Sequence, residues 1–227
     1  MRRYGSGGSF WAENPSIPQR PIRAWQVWGE PNGKSYWPTG PNPGQYTAML
    51  KTVSAGIRAV DPGAEVVTGS LPNTSNGMDP DRFLKGMYAA GAKGSFNTVA
   101  SNPYSDTAPG VLDLLQGARR IMNANGDAAS KLWVTELGWA SSGPVAAYTF
   151  NPSGQAQLLR QVLNGLVAQS GRLNLRGVVY FNWQDARPYA PLYRDFWGLH
   201  TGLLTLGGQP KPAYTAFRES VLRLTGR

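Results

Sequence analysis

Two glutamates stand where carboxylates could work as a pair. Glu30 follows a short apolar run in Trp25-Gln26-Val27-Trp28-Gly29-Glu30-Pro31-Asn32, and Glu136 ends another in Trp133-Val134-Thr135-Glu136-Leu137-Gly138-Trp139. The chain holds only 13 Asp and Glu against 22 Lys and Arg, so the placing of each acid carries weight. Cleaving a bond between sugars takes one carboxyl to protonate the leaving oxygen and a second to attack or to activate water. Indole rings beside the acids suit that task, because their faces pack on the apolar C–H faces of sugar rings. A plainer reading stands beside this one. Glu30 then caps the turn at Pro31, and Glu136 is a strand-end residue paired with an arginine.

The rest of the composition removes other chemistries. There is no Cys, which excludes a disulfide scaffold, a thiolate-held metal and a thiol nucleophile. His200 is the single His, so a His-rich metal centre is excluded and any His-based triad must use that residue. No metal or other cofactor is expected. The formal charge is +9, but Arg23, Lys34, Lys51, Arg58, Lys85, Lys131 and Arg160 are spread along the chain. A nucleic-acid binder clusters such residues, so the reading here is a solvated basic surface, and net charge alone supports the nucleic-acid alternative. No run approaches the ~18 apolar residues of a membrane helix. Met1-Arg2-Arg3-Tyr4-Gly5 opens the chain without the apolar segment of a signal peptide.

Five units recur, each a short apolar run followed by a helical one. Ala24–Trp28 precedes a helical pattern over 44–60, in which Tyr46, Met49, Leu50, Val53, Ile57 and Val60 share a face. Runs at 64–69, 96–100, 131–136 and 177–182 follow, with helical patterns near 79–91, 109–124, 153–170 and 210–224. Residues 1–20, rich in Gly, Ser and Pro, read as a coil lead-in to a single domain spanning 1–227. Strands alternating with helices imply an α/β protein with parallel strands and right-handed crossovers. Both an open doubly wound sheet and a (β/α) barrel fit that pattern. No Gly-x-Gly-x-x-Gly opens a helix, which weakens the nucleotide-binding sheet.

Trp-x-x-Trp-x-Glu-Pro-Asn at 25–32, followed about a hundred residues later by Thr-Glu-x-Gly-Trp at 135–139, resembles the clan A glycoside hydrolases. Families 39 and 5 are the nearest look, in their actinobacterial form. The run Pro210-Lys211-Pro212-Ala213-Tyr214, leading into a last helix, resembles the end of such catalytic domains. The resemblance covers the chain from about residue 20 onward. It implies a retaining β-glycosidase without a cofactor. Glu30, after barrel strand 4, would be the acid/base, and Glu136, after strand 7, the nucleophile. It implies substrate contacts at Asn102 and Tyr104, after strand 6, and an aromatic platform at Trp183, after strand 8. Trp28, Trp139 and Asn32 are further candidates for the cleft. A retaining pair holds its carboxyl groups ~5–5.5 Å apart.

The chain departs from that pattern in three ways. Five units correspond to barrel strands 4–8, whereas a complete barrel has eight. The expected fold is therefore an incomplete TIM (β/α) barrel, with strands 4 and 8 as open edges. Open edges invite pairing with another chain, so a homo-oligomer is expected. Gly29 stands where the clan carries an Asn that binds the sugar 2-hydroxyl, and Asn102 stands where these families often carry His. Both departures, and the absent strands, point to weak hydrolysis. A catalytically silent remnant that binds carbohydrate or a partner chain is the alternative. Asp185, Arg187 and Asp195 read as a solvated loop, and Asp61, Asp79 and Asp81 as turn and cap residues.

Overall fold

Three helices begin on one local device in the computed structural model, which describes residues 1–188 and 194–225. Asn42, Asp79 and Asn151 each accept a hydrogen bond from the backbone N–H three residues on, and a proline follows in the first turn. The side chain satisfies one orphan donor, and the proline removes another that the first turn does not use. The helices are α1 (Ser9–Glu13), α2 (Pro43–Val60), α3 (Pro80–Ala89), α4 (Ala108–Ala124), α5 (Pro152–Leu173) and α6 (Pro212–Thr225). The strands are β1 (Ala24–Gln26), β2 (Glu65–Val67), β3 (Leu71–Pro72), β4 (Thr98–Asn102), β5 (Lys131–Leu137) and β6 (Leu175–Tyr180).

The sheet runs in the order β1-β2-β4-β5-β6, with the short β3 beside β4. Trp25 registers with Val66 and Val67 with Thr98, in parallel pairs. Strands that neighbour in space as they do in sequence, each returned by a helix, have the winding of a (β/α) barrel. The fold class is that read from the sequence, an α/β incomplete TIM barrel of five strand–helix units. β4 is buried along its whole length, as a strand covered on both faces should be, whereas edge strand β6 is half open. Among the described residues no helix is long and apolar enough to cross a membrane.

The chain packs as two compact units. The first comprises residues 1–101 and 118–133, the second 102–117 and 134–227. In the first, Tyr46, Leu50, Phe83, Leu84, Met87, Val66 and Val99 form the buried core. In the second, Leu137, Trp139, Leu159, Val162, Leu166, Ala213 and Ala216 do so, as α5 packs along α6. Each large aliphatic side chain buried in this way stabilises the fold by roughly 1.5–3 kcal/mol.

Several boundaries differ from the sequence reading: β3 was not expected, and β4 spans Thr98–Asn102 rather than 96–100. The lead-in is not all coil, since Ser9–Glu13 form a single helical turn that buries no residue. β1 stops at Gln26, before Trp28, whose φ of 74° leaves the extended region. β6 begins at Leu175, because α5 ends on Asn174 in the left-handed conformation (φ 48°) and the strand follows at once.

Candidate active site

In the first unit Glu30 is carried by a loop, four residues beyond β1. Trp28 and Glu30 both have left-handed backbone, with φ of 74° and 46°. Non-glycine residues held there cost of order 1–3 kcal/mol each, and such strain persists only where the surroundings over-determine it. The surroundings are visible. The fully buried Tyr46 gives its hydroxyl to the carbonyl of Val27 at 3.0 Å and accepts from the N–H of Gly69 at 2.5 Å. Burial pushes the Tyr46 hydroxyl well above the ordinary phenol range. Asn32, also fully buried, donates to the carbonyls of Pro72 (2.9 Å) and Met78 (2.8 Å). The N–H of Gly33 closes the turn on the Glu30 carbonyl at 2.9 Å.

Beside this loop, Trp28 is half exposed and donates its indole N–H to the Tyr36 carbonyl at 3.0 Å. It meets Trp37 edge-on at 5.8 Å. Glu30 is partly exposed, so a partly exposed glutamate and a half-exposed tryptophan belong to one loop. Gly29, between them, faces open space, and a Cβ there would meet nothing within 4 Å.

In the second unit Glu136 is carried by the strand itself. It is the sixth of the seven residues of β5 and is partly exposed. The Tyr104 hydroxyl donates to its Oε2 at 3.2 Å. Tyr104 is nearly buried and packs edge-on against Trp197 (5.2 Å) and tilted against Tyr148 (5.8 Å), which themselves meet at 5.1 Å. Desolvation, and then the charge of Asp106, raise the Tyr148 hydroxyl above its ordinary range. Two residues past Glu136 the chain touches its neighbour closely. A Cβ on Gly138 would lie 1.7 Å from the Phe181 carbonyl oxygen, so only glycine fits there.

The other candidates separate by exposure. Trp183 is 61% exposed and leans edge-on against Tyr214, so its face is open to a ligand. Trp139 is a correction. It is fully buried, donates its indole N–H to the Ser105 carbonyl at 2.7 Å, and belongs to the core. Asn102 and Asn32 have no exposed surface, and Asn32 holds the loop after Glu30 through its bonds to the Pro72 and Met78 carbonyls. Asn102 accepts from the Thr135 hydroxyl at 2.9 Å, one residue before Glu136.

Asp185 is not a solvated loop residue. It is nearly buried against the equally buried Lys211, whose Nζ lies 2.6 Å from its carboxylate. The same Nζ reaches the Ser141 hydroxyl (2.8 Å) and the His200 carbonyl (3.2 Å). Lys211 stood in the sequence only as part of a motif. Its role was hidden because lysine is usually exposed. Tyr148 and Trp197 were also missed, since neither ends a strand.

One depression of about 440 Å³ lies in the first unit, lined by Pro62, Glu65, Asn97, Thr98 and Lys131. It faces the N-terminal ends of β2, β4 and β5, the end where barrel enzymes keep structural rather than reacting groups.

No protein-family model matches this chain, and no curated protein matches it by sequence. Solved structures do match. A family 39 glycoside hydrolase from Xanthomonas axonopodis pv. citri aligns at 19% identity and a TM-score of 0.65, over 92% of this chain and 43% of that one. A fungal β-1,4-galactanase aligns at 19% identity and a TM-score of 0.63, over 92% of this chain and 64% of its own. An α-L-arabinofuranosidase of family 51 from Thermotoga petrophila aligns at 12% identity and a TM-score of 0.62, over 92% of this chain and 42% of that one. The chain thus spans less than two thirds of the length of each of these structures. At such identities the likeness fixes the fold, which is the barrel fold that glycoside hydrolases use.

Proposed function

We propose that this chain hydrolyses β-glycosides with retention of configuration, slowly for its class. Glu136 is the nucleophile and Glu30 the acid and then the base. Glu136 attacks the anomeric carbon while Glu30 protonates the departing oxygen, and water, deprotonated by Glu30, then releases the sugar. The observation that carries this reading is the Tyr104 hydroxyl on Glu136 at 3.2 Å, at the end of a strand in a glycoside-hydrolase fold. A phenol donating to a carboxylate fixes its orientation, as an attacking group requires. The open faces of Trp28 and Trp183 supply sugar platforms. Slowness follows from Gly29, which offers no side chain to the sugar, and from a barrel of five units.

The test is a panel of aryl β-glycosides, with Glu136→Gln as the control. Turnover that the substitution abolishes supports the reading. No turnover by folded protein moves the function to the second reading, a silent remnant that binds carbohydrate. Exposed β6, with Val179 47% open, also supports self-association through that edge. Light scattering at micromolar concentration shows a mass above one chain if so, and a clean monomer refutes it.

A further inference from the structure

The one histidine of the chain sits between a serine and an aspartate, all in the second unit and none of them used by the glycosidase reading. His200 Nε2 lies 2.7 Å from Asp195 Oδ1, and its Nδ1 lies 3.3 Å from the Ser142 hydroxyl. We propose that Ser142, His200 and Asp195 form a second hydrolytic site, acting on carboxylic esters.

The tautomer follows from the partners. An aspartate carboxylate only accepts, so Nε2 carries the hydrogen and Nδ1 is left bare toward Ser142. That is the state of a general base next to a hydroxyl nucleophile, and separations slightly above 3.2 Å are usual before substrate arrives. The pair is also held in place. The His200 carbonyl accepts from the N–H of Ser141 (3.1 Å) and from buried Lys211 Nζ, which in turn holds the Ser141 hydroxyl. The backbone on either side of the two reacting groups is therefore clamped by one buried ion pair. Gly143 has φ of 86°, and a Cβ there would lie 2.2 Å from His200 Cδ2. Only glycine lets the chain turn this closely over the ring.

Among the described residues, the backbone N–H groups of Ser142 and Gly143 donate to no protein acceptor. The N–H after a nucleophilic serine is the usual first donor to the oxyanion of acyl transfer. Ser142 is exposed, and Val145 three residues on is 99% exposed. The alcohol half of the ester can therefore extend into solvent.

In the first step Ser142 Oγ bonds to the acyl carbon as its proton passes to His200 Nδ1. The bond to the alcohol oxygen then breaks, and that oxygen takes the proton from His200. Water attacks the acyl-serine, gives a proton to His200, and the carboxylic acid leaves as Ser142 regains its proton. Asp195 stabilises the imidazolium through Nε2–H at each proton transfer.

The experiment treats the purified chain with an alkyl fluorophosphonate, locates the adduct by peptide mass spectrometry, and follows hydrolysis of p-nitrophenyl acetate. One adduct at Ser142 is expected, absent in Ser142→Ala. His200→Gln lowers acetate hydrolysis by about 10²–10⁴-fold, with far-UV circular dichroism unchanged. Asp195→Asn lowers it less, through kcat with KM little changed. A purely structural cluster would leave kcat where it was. No adduct on folded protein, an adduct elsewhere, or undiminished hydrolysis by Ser142→Ala would overturn the proposal.

Discussion

The two units hold their glutamates by opposite means. In the first, Glu30 rides a loop whose backbone is left-handed at two non-glycine positions, and buried side chains some way off keep it there. In the second, Glu136 lies within a seven-residue strand, and one tyrosine from the neighbouring strand end aims it. A strand places a side chain through its ladder of hydrogen bonds, which few single substitutions disturb. A strained loop places one only while every supporting contact persists. Changes around Glu30 should therefore move geometry as well as chemistry, and changes around Glu136 chemistry alone.

The largest effect separates the two carboxylates. Glu136→Gln is expected to lower β-glycoside turnover by about 10⁴-fold or more for every leaving group, since it removes the attacking atom. Glu30→Gln is expected to cost about 10²–10⁴-fold on poor leaving groups and much less on activated aryl glycosides, which depart without a proton. Equal losses across leaving groups for both variants would erase the distinction.

Stability sharpens the comparison next. Lys211→Met strands Asp185 in the second unit and should cost about 3–5 kcal/mol in chemical denaturation. In the first, Asn32→Ala unpairs the buried Pro72 carbonyl and the half-buried Met78 carbonyl and should cost about 1–3 kcal/mol. If the loop account holds, Asn32→Ala also loses turnover beyond its loss of folded protein.

Gly29→Asn tests the gap beside Glu30. A Cβ there meets nothing, so the side chain can be added without strain. Restoring a donor toward the sugar should raise kcat/KM about tenfold, the worth of one hydrogen bond of ~1.4 kcal/mol. An unchanged or lower value would mean that the loop does not face the sugar.

The smallest effect is shared by both units. Burial raises the hydroxyls of Tyr46 and Tyr180, and burial and then Asp127 raise that of Tyr88. An acid whose folded pKa is raised adds stability below its unfolded value and loses it above. Unfolding free energy should therefore fall as pH climbs past ~10, with these phenols staying protonated until the chain unfolds. Tyrosinate absorbance appearing before the unfolding transition, in full stoichiometry, would contradict this.

The periodic parts of this fold were legible because their causes are local. The 3.6-residue pattern from Tyr46 to Ile57 and the cap at Asp79 each lie within a few residues of the helix they define. Scarce acids at strand ends also drew attention to Glu30 and Glu136. What stayed hidden depends on partners far away in sequence. Trp139 looks like a cleft aromatic until its indole is seen on Ser105. Lys211 and Asp185 look solvated until they meet. Tyr148 reaches Tyr104 from a turn and Trp197 from a four-residue 3-10 helix, and no periodicity foretells either. The left-handed backbone at Trp28 and Glu30 was equally invisible, because neither residue type favours it.

Covalent trapping tests Glu136 as the attacking carboxylate most directly. A 2-deoxy-2-fluoro aryl β-glycoside with an activated leaving group slows both steps but lets the first outrun the second. Digestion and mass spectrometry should then find one sugar equivalent on the peptide carrying Glu136, and none after Glu136→Gln. A sugar attached to any other residue, or turnover of the parent glycoside with inverted configuration and no adduct, would contradict the account.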